Sequence, residues 1–272
     1  AERGRWPLGV LAAQRARADE AVLQGWRRLY SHGYRAPRGA PPVERLRFGP
    51  SVGRGERGAT GGSADTVLPP LRLEVRVPGG HRAVDVVGPT ELLLRGRRTS
   101  LVLVPKGAPA GAALAAERLR YGLRCFFDHL LLSAAGLREG ADAETGAAHH
   151  GAILFGGAPA TDAALRLGPL PAARARAYLE ALVADLLGGT HAYFLPCEAV
   201  FRVAREWAVL SPDALARAIE AVRRDGGGVG RFGPAPAPES YPAPEDSVEL
   251  VRRRFGLYVA LAGLDPAAET RA

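Results

Sequence analysis

The chain has a single lysine, Lys106, among 36 basic side chains, all the others being arginine. Lys106 closes the apolar run Leu101-Val102-Leu103-Val104-Pro105-Lys106, and Asp85 lies in a second apolar run, Val84-Asp85-Val86-Val87. An acid on one strand and a lysine at the end of the next is the layout of a metal-dependent nuclease core. Carboxylates there hold Mg²⁺, while the lysine positions the attacking water and offsets charge at phosphorus. Such a core also needs an acid two residues before the lysine, and Val104 occupies that position. One carboxylate is too few for a cation that demands near-octahedral oxygen ligands. A ligand displaced to Glu117 on the following helix, or to Glu74 or Glu91, would restore an active site. Without one, Asp85, Lys106 and Glu117 are vestigial: Asp85 is a strand acid paired with an arginine, and Lys106 is a solvated strand end. The expectation is therefore no catalytic residue, no metal ligand and no cofactor, with Mg²⁺ entering only if the enzyme alternative holds.

Other chemistry is thinly represented. His149-His150 lies in a Gly/Ala-rich stretch and reads as an exposed loop pair. Asp128 and His129 are neighbours within a helix and face different directions, so they form no dyad. No Ser/His/Asp order, phosphate-cradling Gly-Lys-Ser/Thr loop, dinucleotide fingerprint or zinc spacing occurs. Arginines do cluster, at 15/17, 27/28, 95/97/98, 118/120/124, 223/224 and 252–254, with Trp26, Tyr30, Tyr34, Tyr121 and Tyr258 close by. Arginine interleaved with aromatics suits a channel that tracks a backbone and stacks single-stranded bases. Arg95, Arg97, Arg98, Arg118, Arg120, Arg124 and Tyr121 are the candidate DNA contacts.

The pattern places these residues on an α/β framework. Residues 8 to 30 carry apolar positions at helical spacing, and a Gly-rich loop follows at 51–66. Leu71, Leu73, Val75 and Val77 alternate with charges as in a half-buried strand. The runs 81–87 and 91–95 alternate little and read as strands buried on both faces, with 99–104 the last of the four. A long helix, 112–135, stops at Gly136. Residues 152–155 read as a short extra strand. Helices are expected at 171–187, 198–209, 212–224 and 247–262, with a loop at 225–245. The expected division is a helical segment at 1–50, the loop at 51–66, a nuclease-like sheet core and helix at 67–137, and a helical remainder of the same domain at 138–272.

Composition agrees with a globular, basic chain. Net charge is +8, the pI is about 10.1 and 47% of residues are apolar. That charge favours a polyanionic partner, unless it reflects only a preference for arginine codons. Cys125 and Cys197 read as buried thiols in a reducing compartment. No apolar run reaches a membrane span and no signal-peptide region opens the chain. With no methionine anywhere, the chain reads as part of a longer or processed protein.

Several stretches together resemble the C-terminal part of the exodeoxyribonuclease V gamma chain, the RecC family. They are Arg5-Trp6-Pro7-Leu8-Gly9, the helix from Leu119 to Leu130 with Gly136 after it, Pro169 to Leu187 with Tyr193-Phe194-Leu195-Pro196-Cys197, and Val251-Arg252-Arg253-Arg254-Phe255-Gly256. The resemblance covers most of the chain through dispersed patterns. It implies a restriction-endonuclease-like, PD-(D/E)xK fold: a mixed central sheet of about four to five strands flanked by helices, with a helical C-terminal extension and no working metal site. It further implies a place beside a single-stranded DNA channel, partners of the RecB and RecD type, a role in double-strand break repair and recombination, and a cytoplasmic, nucleoid-associated location. The chain departs from the family in its insert at 51–66, in its loop near 230 and in lacking the family's helicase-like N-terminal domains. Two other readings stand beside this one: an active RecB-like nuclease with a displaced acid, and a protein-interaction module without DNA contact.

Overall fold

The computed structural model describes residues 10–34, 43–50, 66–94, 96–137, 146–188, 197–224 and 246–264. The described chain is mixed α/β. Helix α1, Val10–Leu29, continues through a π-helical turn at Tyr30–Tyr34. Strands β1 (Leu46–Phe48), β2 (Thr66–Leu68), β3 (Leu71–Val77), β4 (Gly80–Val86), β5 (Gly88–Pro89), β6 (Leu92–Leu94) and β7 (Thr99–Val104) follow. Helix α2, Gly111–Ala134, leads to β8 (His149–Phe155), β9 (Thr161–Asp162) and β10 (Leu165–Leu167). Then come helices α3 (Ala172–Leu187), α4 (Cys197–Val203), α5 (Pro212–Arg224) and α6 (Ser247–Leu261), with a 3₁₀ turn at Ala204–Val209 between α4 and α5.

The main sheet runs β10-β8-β7-β6, with β9 also on β8. Its centre is the parallel pair β7 and β8, joined through α2. Parallel neighbours need such a crossover, which is why the longest helix falls between them. Both strands are covered on both faces. Leu101, Ala152 and Leu154 pack against Trp26, Leu29 and Tyr30 of the α1 segment. On the opposite face Val102, Val104, Ile153 and Phe155 pack against Cys125 and Tyr121 of α2. A parallel strand between two helices must be apolar on both faces, as Leu101-Val102-Leu103-Val104 and Ala152-Ile153-Leu154-Phe155 are.

The four expected strands do not form one sheet. Among the described residues β3 and β4 pair only with each other, as a hairpin registered Leu71↔Val86 and Arg72↔Asp85. The inner face of β3, namely Leu71, Leu73 and Val75, joins the core formed with α2 and the helices that follow. The expectation that 81–87 is buried on both faces is corrected: His81, Arg82, Ala83 and Asp85 are exposed. A two-stranded ribbon offers one face to a core, and among the described residues no further layer covers the other. The expected boundary at 137/138 also cuts through the sheet, since β8 is its centre and β10 and β9 its edge. The Gly-rich loop lies, apart from Thr66, outside the described residues.

Gly136 closes α2 as the sequence suggested. It has φ of 64°, its N–H bonds to Ser133 O, and Leu137 N–H bonds to Leu132 O, so the left-handed glycine satisfies carbonyls that the helix end would orphan. The helical remainder is fastened to α2 by Tyr258 of α6. Its ring lies 5.2 Å from that of Phe126, and its hydroxyl donates to Leu119 O at 2.6 Å in a fully buried setting. Tyr258→Phe keeps the packing and removes that bond. It should cost about 1 kcal/mol, read from chemical denaturation; an unchanged midpoint would mean the bond contributes nothing.

Candidate functional site

Lys106 stands just beyond β7, where Gly156 N–H to Val104 O and Gly157 N–H to Lys106 O prolong the parallel ladder. This is the carboxyl edge of the parallel strands, the usual place for ligands in α/β sheets. A groove of about 610 Å³ opens there, lined by Lys106, Glu117, Arg120, Glu198, Phe201 and Arg202 among others. Lys106 Nζ is 3.0 Å from Glu117 Oε1, and Arg120 reaches the same oxygen at 3.5 Å and Glu198 at 3.4 Å. Lys106 and Arg120 each sit 5.7 Å from the Tyr121 ring centre. Tyr121 itself stacks edge-on against Phe155, so it belongs partly to the core.

The geometry brings Lys106 to Glu117 and leaves Asp85 apart. The acid expected on a strand adjacent to the lysine strand is on the β3–β4 hairpin, exposed and opposite Arg72. The strands beside β7 are β6 and β8. Val104 is 1% exposed and is part of the apolar cluster under α2, so the position where the nuclease layout would require an acid is core. Glu91, which leads into β6, is held by Arg124 at 2.6 Å, and Glu117 lies between two cations. These residues do not fit a Mg²⁺ site, since a divalent ion would have to compete with a lysine and an arginine for one carboxylate. Among the described residues no group of three or more His, Cys, Asp or Glu side chains converges as metal ligands would. Cys197, beside Glu198, is pushed up to about 12 by burial and by that glutamate, which keeps it a thiol at neutral pH.

Three of the six expected DNA-facing arginines, Arg97, Arg120 and Arg124, are engaged by carboxylates within the chain. Arg97, with φ of 66°, is forked onto Glu44 at 3.0 and 3.3 Å, a pairing that helps hold the turn between β6 and β7. Arg120 and Arg124 pair with glutamates as above. Arg118 is half-buried, with its Nε enclosed and lacking a hydrogen-bond partner. Arg98 follows Arg97 in the turn and its carbonyl accepts the His150 N–H. Arg95 lies outside the described residues. Of the remaining clusters, Arg253 and Arg254 close on Asp185, and Arg224 on Glu220.

A buried polar network joins α2 to the parallel strands, and His149 belongs to it, contrary to the loop reading. His149 is fully buried at the start of β8, while His150 is exposed. Ser100 Oγ lies 2.5 Å from Asp128 Oδ2 and 2.8 Å from His149 Nε2. Asp128 Oδ1 accepts the Glu91 N–H at 3.2 Å. His129 stacks on His149 with ring centres 5.2 Å apart, and its Nε2 is 3.0 Å from Gly168 O. Asp128 and His129 make no direct contact that would form a dyad, but Ser100 and His149 connect them. Burial pushes Asp128 up to about 7 against the opposing bonds from Ser100 and the Glu91 amide. Ser100, Asp128, His129 and His149 are all buried, so the cluster is closed to substrate. A sequence signal existed: a serine inside an otherwise apolar buried strand and an aspartate on an apolar helix face both demand buried partners.

Comparison of the chain with protein-family models, curated proteins and solved structures finds no match. Among the described residues no helix is long and apolar enough to cross a membrane.

Proposed function

We propose that the chain is a non-catalytic, DNA-binding scaffold domain of a RecBCD-type helicase–nuclease complex, acting in double-strand break repair with RecB-like and RecD-like partners. The observation that carries this reading is the end of β7. A strand–helix–strand unit offers a lysine where a nuclease of the PD-(D/E)xK kind has one, and a buried valine where it has the acid. Lys106 is engaged by Glu117, and Asp85 is on another sheet, which supports reading them as remnants of a catalytic centre and not as a working one. The net charge of +8 supports a polyanionic partner.

The enzyme alternative would need Glu117, the acid beside Lys106, to leave its two cations and serve as the migrated ligand. End-labelled single- and double-stranded DNA incubated with Mg²⁺ or Mn²⁺ separates the two. The scaffold reading expects no cleavage above background by the chain, by Asp85→Ala or by Lys106→Ala. Cleavage lost in Lys106→Ala would establish a rearranged nuclease and end the scaffold reading. A chain that binds a RecB-like subunit tightly and no DNA would be an interaction module.

A further inference from the structure

A second groove, of about 920 Å³, lies where α1 ends against the loop that follows β8. Arg27, Arg28, Ser31 and His32 line one side, and Pro159 and Ala160 line the other. We infer that this groove is the surface on which the chain holds the phosphate backbone of single-stranded DNA. The inference rests on the DNA-binding reading above and relocates the contact from α2 to α1.

The charge state of the arginines is the first argument. Arg97, Arg120 and Arg124 face carboxylates, whereas Arg27 and Arg28 are exposed and, among the described residues, neither is paired with one. The nearby acid Asp162 is bonded to the Tyr34 hydroxyl at 2.5 Å and is not among the lining residues. Position is the second. Residues 156–160 leave the carboxyl end of β8, the edge of a parallel sheet where ligands settle. The third is shape: the helix ends in a π-helical turn, a departure often found at functional sites, and Leu29 with Pro159 gives the groove an apolar floor against which a base can rest. Arginines in a last helical turn also complement the helix dipole. That role alone would give them a part in stability and none in affinity, so the two accounts predict different results.

The test is fluorescence anisotropy of a labelled oligothymidine of about 20 nucleotides, titrated with the full chain across a salt series. Each phosphate contact to a single strand contributes about 0.7 to the slope of log affinity against log salt. Arg27→Gln/Arg28→Gln should therefore flatten the slope by about 1.4 and weaken binding roughly 25-fold near 0.1 M salt, with little difference near 1 M. Arg76→Gln/Arg82→Gln, on the exposed β3–β4 hairpin, removes the same charge elsewhere and should change affinity far less. Equal losses in the two double variants would overturn the assignment in favour of diffuse attraction. Wild-type affinity and slope in the Arg27/Arg28 variant would overturn the groove while leaving DNA binding intact. No binding by the unaltered chain would overturn both.

Discussion

Valine in place of Gly25 should unseat α1 from the main sheet and lower the melting temperature by roughly 10 °C. Gly25 is buried where α1 crosses the end of β8, and a Cβ there would stand 2.1 Å from Gly156 O. The obstruction is backbone against backbone, so no rotamer relieves it. The partner position is equally tight, since a Cβ on Gly156 would meet Trp26 Nε1 and Val22 O, each at 2.7 Å. Helix α1 must therefore lift, which breaks the bond from Trp26 Nε1 to Leu154 O at 2.9 Å and opens the cluster of Trp26, Leu29 and Tyr30 over Leu101 and Leu154. Losing an aromatic-centred cluster of this kind costs about 3 kcal/mol or more. Gly33→Ala is the matched control: it lies in the π-helical turn with nothing within 4 Å of its Cβ, and should melt near the wild type. Thermal denaturation by circular dichroism decides it. If Gly25→Val melted with the wild type, the close approach of α1 to β8 would be wrong, and with it the groove that α1 and the loop after β8 enclose.

Stability should also fall as pH rises through 7, and Asp128→Asn should remove that dependence. Asp128 is raised from 3.8 to about 7, chiefly by burial. Between those values the native chain holds a proton that the unfolded chain has released. The stabilisation is therefore complete below about pH 4 and is lost as pH climbs through 7, up to about 4 kcal/mol for a shift of this size. The network gives the proton a place. The single Ser100 hydroxyl proton lies between Asp128 Oδ2 and His149 Nε2 and can serve only one of them. A neutral Asp128 donates to Ser100, which is then able to donate to His149. An ionised Asp128 takes the Ser100 proton and requires His149 Nε2 to carry one of its own. Other groups facing the carboxyl are Glu91, which raises it, and Arg124, which lowers it. Asparagine supplies an N–H where the neutral acid has its O–H and still accepts from Glu91, so the variant should match the wild type near pH 5 and exceed it at pH 8. Urea denaturation across that range is the measurement. Parallel pH profiles for the two proteins would remove Asp128 as the titrating group.

The elements were legible because local pattern suffices for them. Strict alternation marked β3, sustained apolar runs marked β7 and the end of β8, and the 3.6-residue stripe with a terminal glycine marked α2 to within a residue of its observed bounds. The pairing of Lys106 with Glu117 was not read from the sequence, which left Lys106 as a solvated strand end and Glu117 as a possible displaced ligand; a short link after the strand places the second turn of the next helix beside it. The strand partners were not legible either. Adjacent runs in sequence suggested that all four strands share one mixed central sheet, yet β3 and β4 form a separate hairpin, and β7 takes as its parallel partner a strand that begins 45 residues past its end, His149–Phe155. Register and partner choice depend on which apolar faces can be buried together, a property of the assembled layers that no window of sequence carries.

The sequence by itself therefore determined the class of elements, the basic charge, the absence of an acid at 104 and the kinds of residue available for chemistry. Only the tertiary structure decided how those residues are used. It set Asp85 on an exposed ribbon, turned Val104 into core and buried His149 against Ser100 and Asp128. It also paired Arg97, Arg120 and Arg124 with glutamates brought in from other elements. The physical reason is range. Helix and strand periodicity act over a few residues, whereas a charge is neutralised, or a polar group hydrogen-bonded, by whatever the packing of distant segments brings within about 4 Å.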